Sequence, residues 1–381
     1  MTGAPLVERV RARLATGPEA PTRSAVAALV REEAGSLAGD TTVLSAVRAA
    51  VDELAGAGPL EELLSDPDTS DVLVNGPDDV WVDRGRGLER VHLRFPDDDA
   101  VRRLAVRLAA AAGRRLDDAA PWVDAVLPDG TRLHAVLFPV STRGTCLSLR
   151  VLRRCSLGLG DLADRGALPG EAADLLRSVV AARSAFLVTG GTGSGKTTLL
   201  SALLGLVAPT ERIVVCEDAP ELAPAHPHVV GLVTRAPNVE GVGAVELRDL
   251  VRQALRMRPD RLVVGEVRGA EVTDLLAALN TGHDGGCGTL HANRPAEVPT
   301  RLEALGVAAG LDRVAVHSQA AAAIAVVVHL RRRAGVRRVE ELGVLRRAGE
   351  LVVVEPAWRS DGAVCPGRDR LDALLGGGGA R

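Results

Sequence analysis

Apolar and polar positions follow several textures along this chain. Up to about residue 55 the apolar positions keep helical spacing: Val26, Leu29 and Val30, then Val43, Leu44, Val47 and Val51. A different texture begins near Gly58-Pro59. Residues 71–76 and 80–83, joined by Gly76-Pro77-Asp78-Asp79, predict a β-hairpin, and 122–126, 131–137 and 145–152 predict further strands. One helix interrupts them over 97–112, where an acidic first turn precedes Val101, Leu104, Ala105 and Leu108 on one face. Beyond residue 170 the apolar runs at 185–189, 212–216 and 261–265 are continuous, as in strands buried on both faces, with helical segments between and after them. That alternation predicts a parallel sheet. The pattern divides the chain into a helical segment over 1–55, an α+β domain over 56–155, and a glycine-containing linker over 156–170. An α/β domain over 171–334 and an extension over 335–381 follow. The end of the extension, with glycines 376–379, reads as disordered.

The run at 185–189 leads straight into Gly190-Gly191-Thr192-Gly193-Ser194-Gly195-Lys196-Thr197-Thr198, and a helix is predicted over 196–207. This is a phosphate-binding loop in its expected strand–loop–helix setting. Glycines let backbone N–H groups turn toward phosphates, the helix aims its positive end at them, and Thr197 offers a hydroxyl to Mg2+. Lys196 is also the one lysine among the 46 cationic Lys and Arg side chains. Where arginine has been used everywhere else, a retained lysine marks a place for a compact ammonium that a planar fork cannot replace.

Acidic residues stand at the ends of the two neighbouring apolar runs. Glu217, Asp218 and Glu221 follow 212–216, and Glu266 closes 261–265. Carboxylates at the carboxyl ends of parallel strands point into a nucleotide crevice, where hydrolysis needs one to activate water and others around the metal. By pattern alone they could equally be a solvated turn and a helix start. His283 and His291 lie in a Gly-rich stretch with Asp284 and Cys287. A zinc site would need tetrahedral ligand spacing, which this stretch lacks. Two hydrogen-bonded loop histidines, or a sensor of the nucleotide state, are the other readings. Arg132, Arg143 and Arg150 lie in the first domain, before the nucleotide domain, where solvation or pairing is the default and an arginine finger the sharper alternative. The cluster Arg331, Arg332, Arg333, Arg337 and Arg338 reads as a solvated turn.

Composition narrows the picture further. A net charge of −3 gives no global nucleic-acid footprint. Cys146, Cys155, Cys216, Cys287 and Cys365 are odd in number and form no C-x-x-C pair, which points to a reducing compartment. No apolar run approaches the ~20 residues of a spanning helix, and no secretory signal opens the chain. A cytoplasmic protein, brought to a membrane only by partners, is the expectation.

Taken together and in this order, these boxes resemble the secretion-ATPase superfamily of type II secretion, type IV secretion and type IV pili, and most of all its tight-adherence (Tad-type) pilus branch. The resemblance is carried by the phosphate loop, the acidic box Cys216-Glu217-Asp218-Ala219-Pro220-Glu221, and the stretch 256–268, Arg-Met-Arg-Pro-Asp-Arg-Leu-Val-Val-Gly-Glu-Val-Arg. The histidine box, Asn280-Thr281-Gly282-His283-Asp284 with Thr289-Leu290-His291-Ala292-Asn293, completes it. Upstream, Ser70-Asp71-Val72-Leu73-Val74-Asn75-Gly76, Asp124 and Leu127-Pro128-Asp129-Gly130-Thr131-Arg132 match the amino-terminal domain of that family. The resemblance implies a P-loop (RecA-like) ATPase domain and a hexameric ring that turns ATP hydrolysis with Mg2+ into work on a polytopic inner-membrane platform protein. It implies Glu221 as the water-activating acid, Glu217 and Glu266 as its acidic partners, His283 and His291 as site residues, and Arg132 and Arg150 as fingers. The site in question would lie at the inner face of the cytoplasmic membrane. His134 stands where the family usually has Asn, and Gly286-Cys287-Gly288 replaces a Ser-Leu-Thr stretch, which predicts a looser histidine loop. An ATP-gated scaffold with little turnover and a P-loop nucleic-acid translocase are the rival readings.

Overall fold

A computed structural model describes residues 56–151, 157–237, 241–333 and 335–376, with positions 13, 28, 29 and 32. The helical segment expected over 1–55, the glycine end beyond 376 and Cys155 therefore lie outside the described residues, apart from those isolated positions. Two compact units divide the chain, residues 1–153 and 154–381.

The first unit is one antiparallel sheet backed by a helix. Its strands are β1 (Asp71–Val74), β2 (Val80–Asp83), β3 (Leu88–Val91), β4 (Trp122–Val126), β5 (Arg132–Val136) and β6 (Cys146–Arg150), in the order β3-β2-β1-β6-β5-β4. Alternation buries Val72, Val74, Val80, Val82, Leu133, Ala135, Leu147 and Leu149 on one face. The apolar stripe of α1 (Asp98–Ala111), Val101, Leu104, Ala105 and Leu108, joins the same core. Asp97 caps α1 by accepting from the Ala100 N–H at 2.7 Å. Strand β3 was not predicted: its first three residues are exposed, so no apolar alternation announces it.

The second unit is a three-layer sandwich. Its helices on one face are α2 (Leu159–Asp164), α3 (Gly170–Ala181), α4 (Lys196–Leu204) and, near the end, α9 (Arg368–Gly376). On the other face lie α5 (Leu247–Ala254), α6 (Glu271–Leu279), α7 (Val298–Ala308) and α8 (Arg313–Ala323). Between them an eight-stranded sheet is built from β7 (Phe186–Thr189), β8 (Ile213–Glu217), β9 (Val229–Val233), β10 (Arg261–Val267), β11 (Cys287–Leu290), β12 (Val326–Arg333), β13 (Val336–Ala348) and β14 (Leu351–Arg359). The order is β14-β13-β12-β7-β11-β10-β8-β9, and the six strands from β12 to β9 are parallel. β7 shows why its run is continuously apolar: Phe186 and Val188 face one layer and Leu187 the other.

Three expectations change here. The stretch read as a linker contains α2, whose Leu159 and Leu162 are buried in the core, so its glycines flank a packed helix. Arg331 to Arg333 end strand β12 and pair with Val336 to Arg338 of β13, so the arginine cluster is a hairpin and not a turn. The extension from 335 supplies β13 and β14 as full members of the sheet. β9 and β11 escaped the sequence reading because one is an edge strand and the other is the short, glycine-containing Cys287-Gly288-Thr289-Leu290.

Candidate active site

The phosphate loop begins where β7 ends. Gly190, Gly193 and Gly195 all have positive φ (152°, 69° and 95°). At Gly190 a Cβ would stand 2.5 Å from the Leu330 carbonyl oxygen and 2.6 Å from Ser194 Oγ, so β12 and the loop's far side pack directly on this backbone. Lys196 opens α4 and is buried. Its Nζ donates to the carbonyls of Gly190 and Gly191, both at 3.2 Å, and lies 3.4 Å from His291 Nε2. Burial pulls the ammonium's pKa below its ordinary value, against the opposing charges of Glu266 and Glu221. Ser194 Oγ is buried with no hydrogen-bond partner among the described residues. Thr198 faces a cavity, described below, while Gly191 and Thr192 are exposed.

The acidic residues do different things. Glu217, at the end of β8, is buried, and its Oε1 accepts the N–H groups of Glu221 (3.1 Å) and Leu222 (2.9 Å). It thereby shapes the turn that carries Glu221, each such charge-assisted bond being worth about 1.5–3 kcal/mol. Glu221 in turn accepts from Thr197 Oγ1 at 3.5 Å. Glu266, near the end of β10, is half-exposed and stands 3.2 Å from His291 Nε2. His291 follows β11; burial lowers its pKa, the Lys196 charge adds to this, and Glu266 opposes it. Adjacent parallel strands thus deliver Lys196, Thr197, Glu217, Glu221, Glu266 and His291 to one place.

Close backbone packing holds this arrangement. A Cβ on Gly265 would stand 2.6 Å from Glu217 Cγ. Gly265→Ala is expected to cost about 1–3 kcal/mol by overpacking and to push Glu217 off its turn; a urea melt with parallel phosphate-release assays checks both. The glycines expected to loosen the histidine loop are packing positions too. On Gly286 a Cβ would meet Leu279 Cδ2 at 2.4 Å, and on Gly288 the Val264 carbonyl oxygen at 2.7 Å. Cys287 and Cys216 are interior strand residues whose thiols burial pushes up to about 12, which leaves them inert.

Other predicted residues are carried by other elements. His283 sits just beyond α6, its Nδ1 3.2 Å from the Ala278 carbonyl. Arg132 and Arg150 are register partners on β5 and β6, and Arg150 Nε is 2.9 Å from Asp71 Oδ1 on β1. His134 pairs with Asp124 across β5 and β4, Nδ1 to Oδ1 at 2.7 Å. This answers what the histidine does in place of Asn.

Some site residues escaped the sequence. Thr189 Oγ1 and His329 Nδ1, both buried, lie 3.0 Å apart beneath the loop. Arg337 Nε donates to the Gly193 carbonyl at 2.9 Å. Beside the loop a cavity of about 290 Å³ is lined by Leu162, Leu168, Leu330, Val339, Thr198 and Arg337, among others. Arg337 carried a signal, its place in the arginine cluster, but the signal gave no direction.

Comparison with known proteins agrees with this geometry. Residues 53–360 match the family described as type II/IV secretion system protein. A putative conjugal transfer protein of Mycobacterium tuberculosis is 61% identical over 344 residues, which cover 88% of this chain and 98% of that one. The type IV secretion system protein PtlH of Bordetella pertussis is 36% identical over 257 residues, covering 61% and 75%. Among solved structures, the Legionella pneumophila ATPase DotB superposes with a TM-score of 0.51 at 20% identity over 85% of this chain and 82% of its own, a likeness of fold. The chain belongs to the type II/IV secretion system protein family.

Proposed function

We propose that this protein is the hexameric motor of a Tad-type pilus or a related secretion machine, and that it acts on a polytopic platform protein at the inner face of the cytoplasmic membrane. The observation that carries the reading is the convergence of Lys196, Thr197, Glu221, Glu266 and His291 at the ends of neighbouring parallel strands. Among the described residues no helix is long and apolar enough to cross a membrane, so attachment is assigned to partners.

The residues divide the work of hydrolysis. The loop N–H groups and Lys196 hold the β- and γ-phosphates. Thr197 Oγ1, a hard oxygen in the first turn of α4, suits Mg2+, which when bound would offset phosphate charge. Glu221 accepts the proton of the attacking water, Glu217 fixes the turn that aims it, and His291 links Glu266 to Lys196. Arg132 and Arg150 add charge to the transferring phosphoryl group.

Glu221→Gln keeps the shape and removes the base. Turnover is expected to fall by ~10²-fold or more with ATP binding intact. Equilibrium binding alongside a phosphate-release assay reads this out; loss of binding with unchanged turnover per bound ATP would make Glu221 structural. If Glu266→Gln is the variant that binds without turning over, the two roles are exchanged. Phosphate release by the unaltered chain also separates the motor from an ATP-gated scaffold. The conjugal-transfer description of the mycobacterial relative keeps a nucleic-acid translocase as the second reading, and stimulation of turnover by single-stranded DNA would favour it.

A further inference from the structure

The cavity beside the phosphate loop is built for something other than phosphate. Apolar side chains, among them Leu157, Leu162, Leu168, Leu330 and Val339, make most of its wall, and Ser194, Gly195 and Thr198 are shared with the loop. A ligand whose phosphates lie in the loop can therefore reach the cavity with its other end. At about 290 Å³ the cavity accommodates a flat heterocycle and is near the small end of ligand pockets, ~300–1,000 Å³. Ser194 Oγ, buried and without a hydrogen-bond partner among the described residues, stands at the join.

A heterocycle in a protein pocket usually lies against an aromatic ring, but none of the lining residues is aromatic. The chain has 3 Trp, 3 Phe and no Tyr, and it has placed none of them here. The planar groups available are guanidinium ions. Arg165 lines the cavity from the exposed loop after α2. Arg337 reaches it from the hairpin of β12 and β13 and is anchored to the loop. Its Nε donates to the Gly193 carbonyl at 2.9 Å, and its Cδ lies 3.5 Å from where a Cβ on Gly195 would be. That bond fixes the plane of the guanidinium and leaves its terminal nitrogens for a ligand. Arginine stacks on π-systems as lysine does not.

We propose that Arg337 is the flat surface on which the nucleotide base stacks, so that the hairpin of β12 and β13 recognises the base while the phosphate loop recognises the phosphates. This rests on the reading of the loop as the nucleotide site. The test compares two probes on the full chain by calorimetry: ATP, and inorganic tripolyphosphate, which has no base, both with magnesium. Arg337→Ala is expected to weaken ATP by about 10-fold, the size of a cation–π contact covered by its ligand. Tripolyphosphate affinity is expected to stay within about 2-fold of the unaltered chain, since no base contact is lost. Equal loss of both probes would mean that Arg337 only straps the loop, and unchanged ATP binding would mean that it does neither; each overturns the proposal. Arg337→Lys binding ATP like the unaltered chain would overturn the planar role. If Arg337→Ala does not fold, photolabelling of the unaltered chain with 8-azido-ATP decides. Label within 157–168 or 335–339 supports the proposal, and label confined elsewhere overturns it. Lys196→Ala is the separate control: if it keeps both probes, the nucleotide reading itself fails, whatever Arg337 does.

Discussion

Lys196→Arg is expected to reduce ATP hydrolysis to background although the charge is conserved. The ammonium occupies a narrow place, 3.2 Å from two loop carbonyls and 3.4 Å from His291 Nε2, under a loop whose Gly190 leaves no room even for a Cβ. A guanidinium is larger and flat, and its donors fan out in a plane instead of converging from a point. It can neither keep these distances nor reach a phosphate oxygen from the same stem. The loss expected is at least that of removing one pre-positioned transition-state donor, ~10²–10³-fold. Phosphate release at saturating ATP measures it, with equilibrium binding as the companion. Turnover near that of the unaltered chain would remove this loop from the nucleotide site.

Arg150→Ala and Arg132→Ala are expected to lower turnover by as much as ~10³-fold, the scale of an arginine supplied to a phosphoryl-transfer site from outside the nucleotide domain. Both residues belong to the first unit and neighbour each other across β5 and β6; Asp71 on β1 completes the row by pairing with Arg150. Arg150 is exposed and Arg132 half-buried, so the variants are expected to fold, which a thermal melt checks. Mixing subunits tests where Arg150 acts. Arg150→Ala subunits keep an intact loop, and Lys196→Ala subunits keep an intact Arg150. If Arg150 acts on a neighbouring subunit, mixed rings regain activity at junctions where the two intact parts meet. If it acts within its own subunit, every site carries one lesion and no activity returns. Rings shown by mass measurement to be mixed, yet inactive, would end the version in which the arginine crosses between subunits.

Motifs that depend on local order were legible in the sequence. The strand–loop–helix around Lys196 needs only consecutive residues: an apolar run, glycines that adopt positive φ, and a helix that begins at the lysine. The acidic ends of β8 and β10 could be read for the same reason, since a strand's last residues stay at its end wherever the strand sits. The sequence could not say which acid does what. Glu217 and Glu221 are four residues apart, and only the fold shows that one holds backbone N–H groups while the other faces Thr197. Nor could it separate His291 from His283: β11 carries the first beside β10 and β7, and the second remains with α6. The arginine cluster after residue 330 looked like a solvated turn because a run of charges carries no period. Its Arg337 touches the loop because β12, held in register by β7, runs past the end of that strand and brings the hairpin to the loop. Local order sets an element and its polarity. Which elements lie side by side, and so which side chains share a charge or a pocket, follows from the order of strands in the sheet, which is fixed by long-range packing.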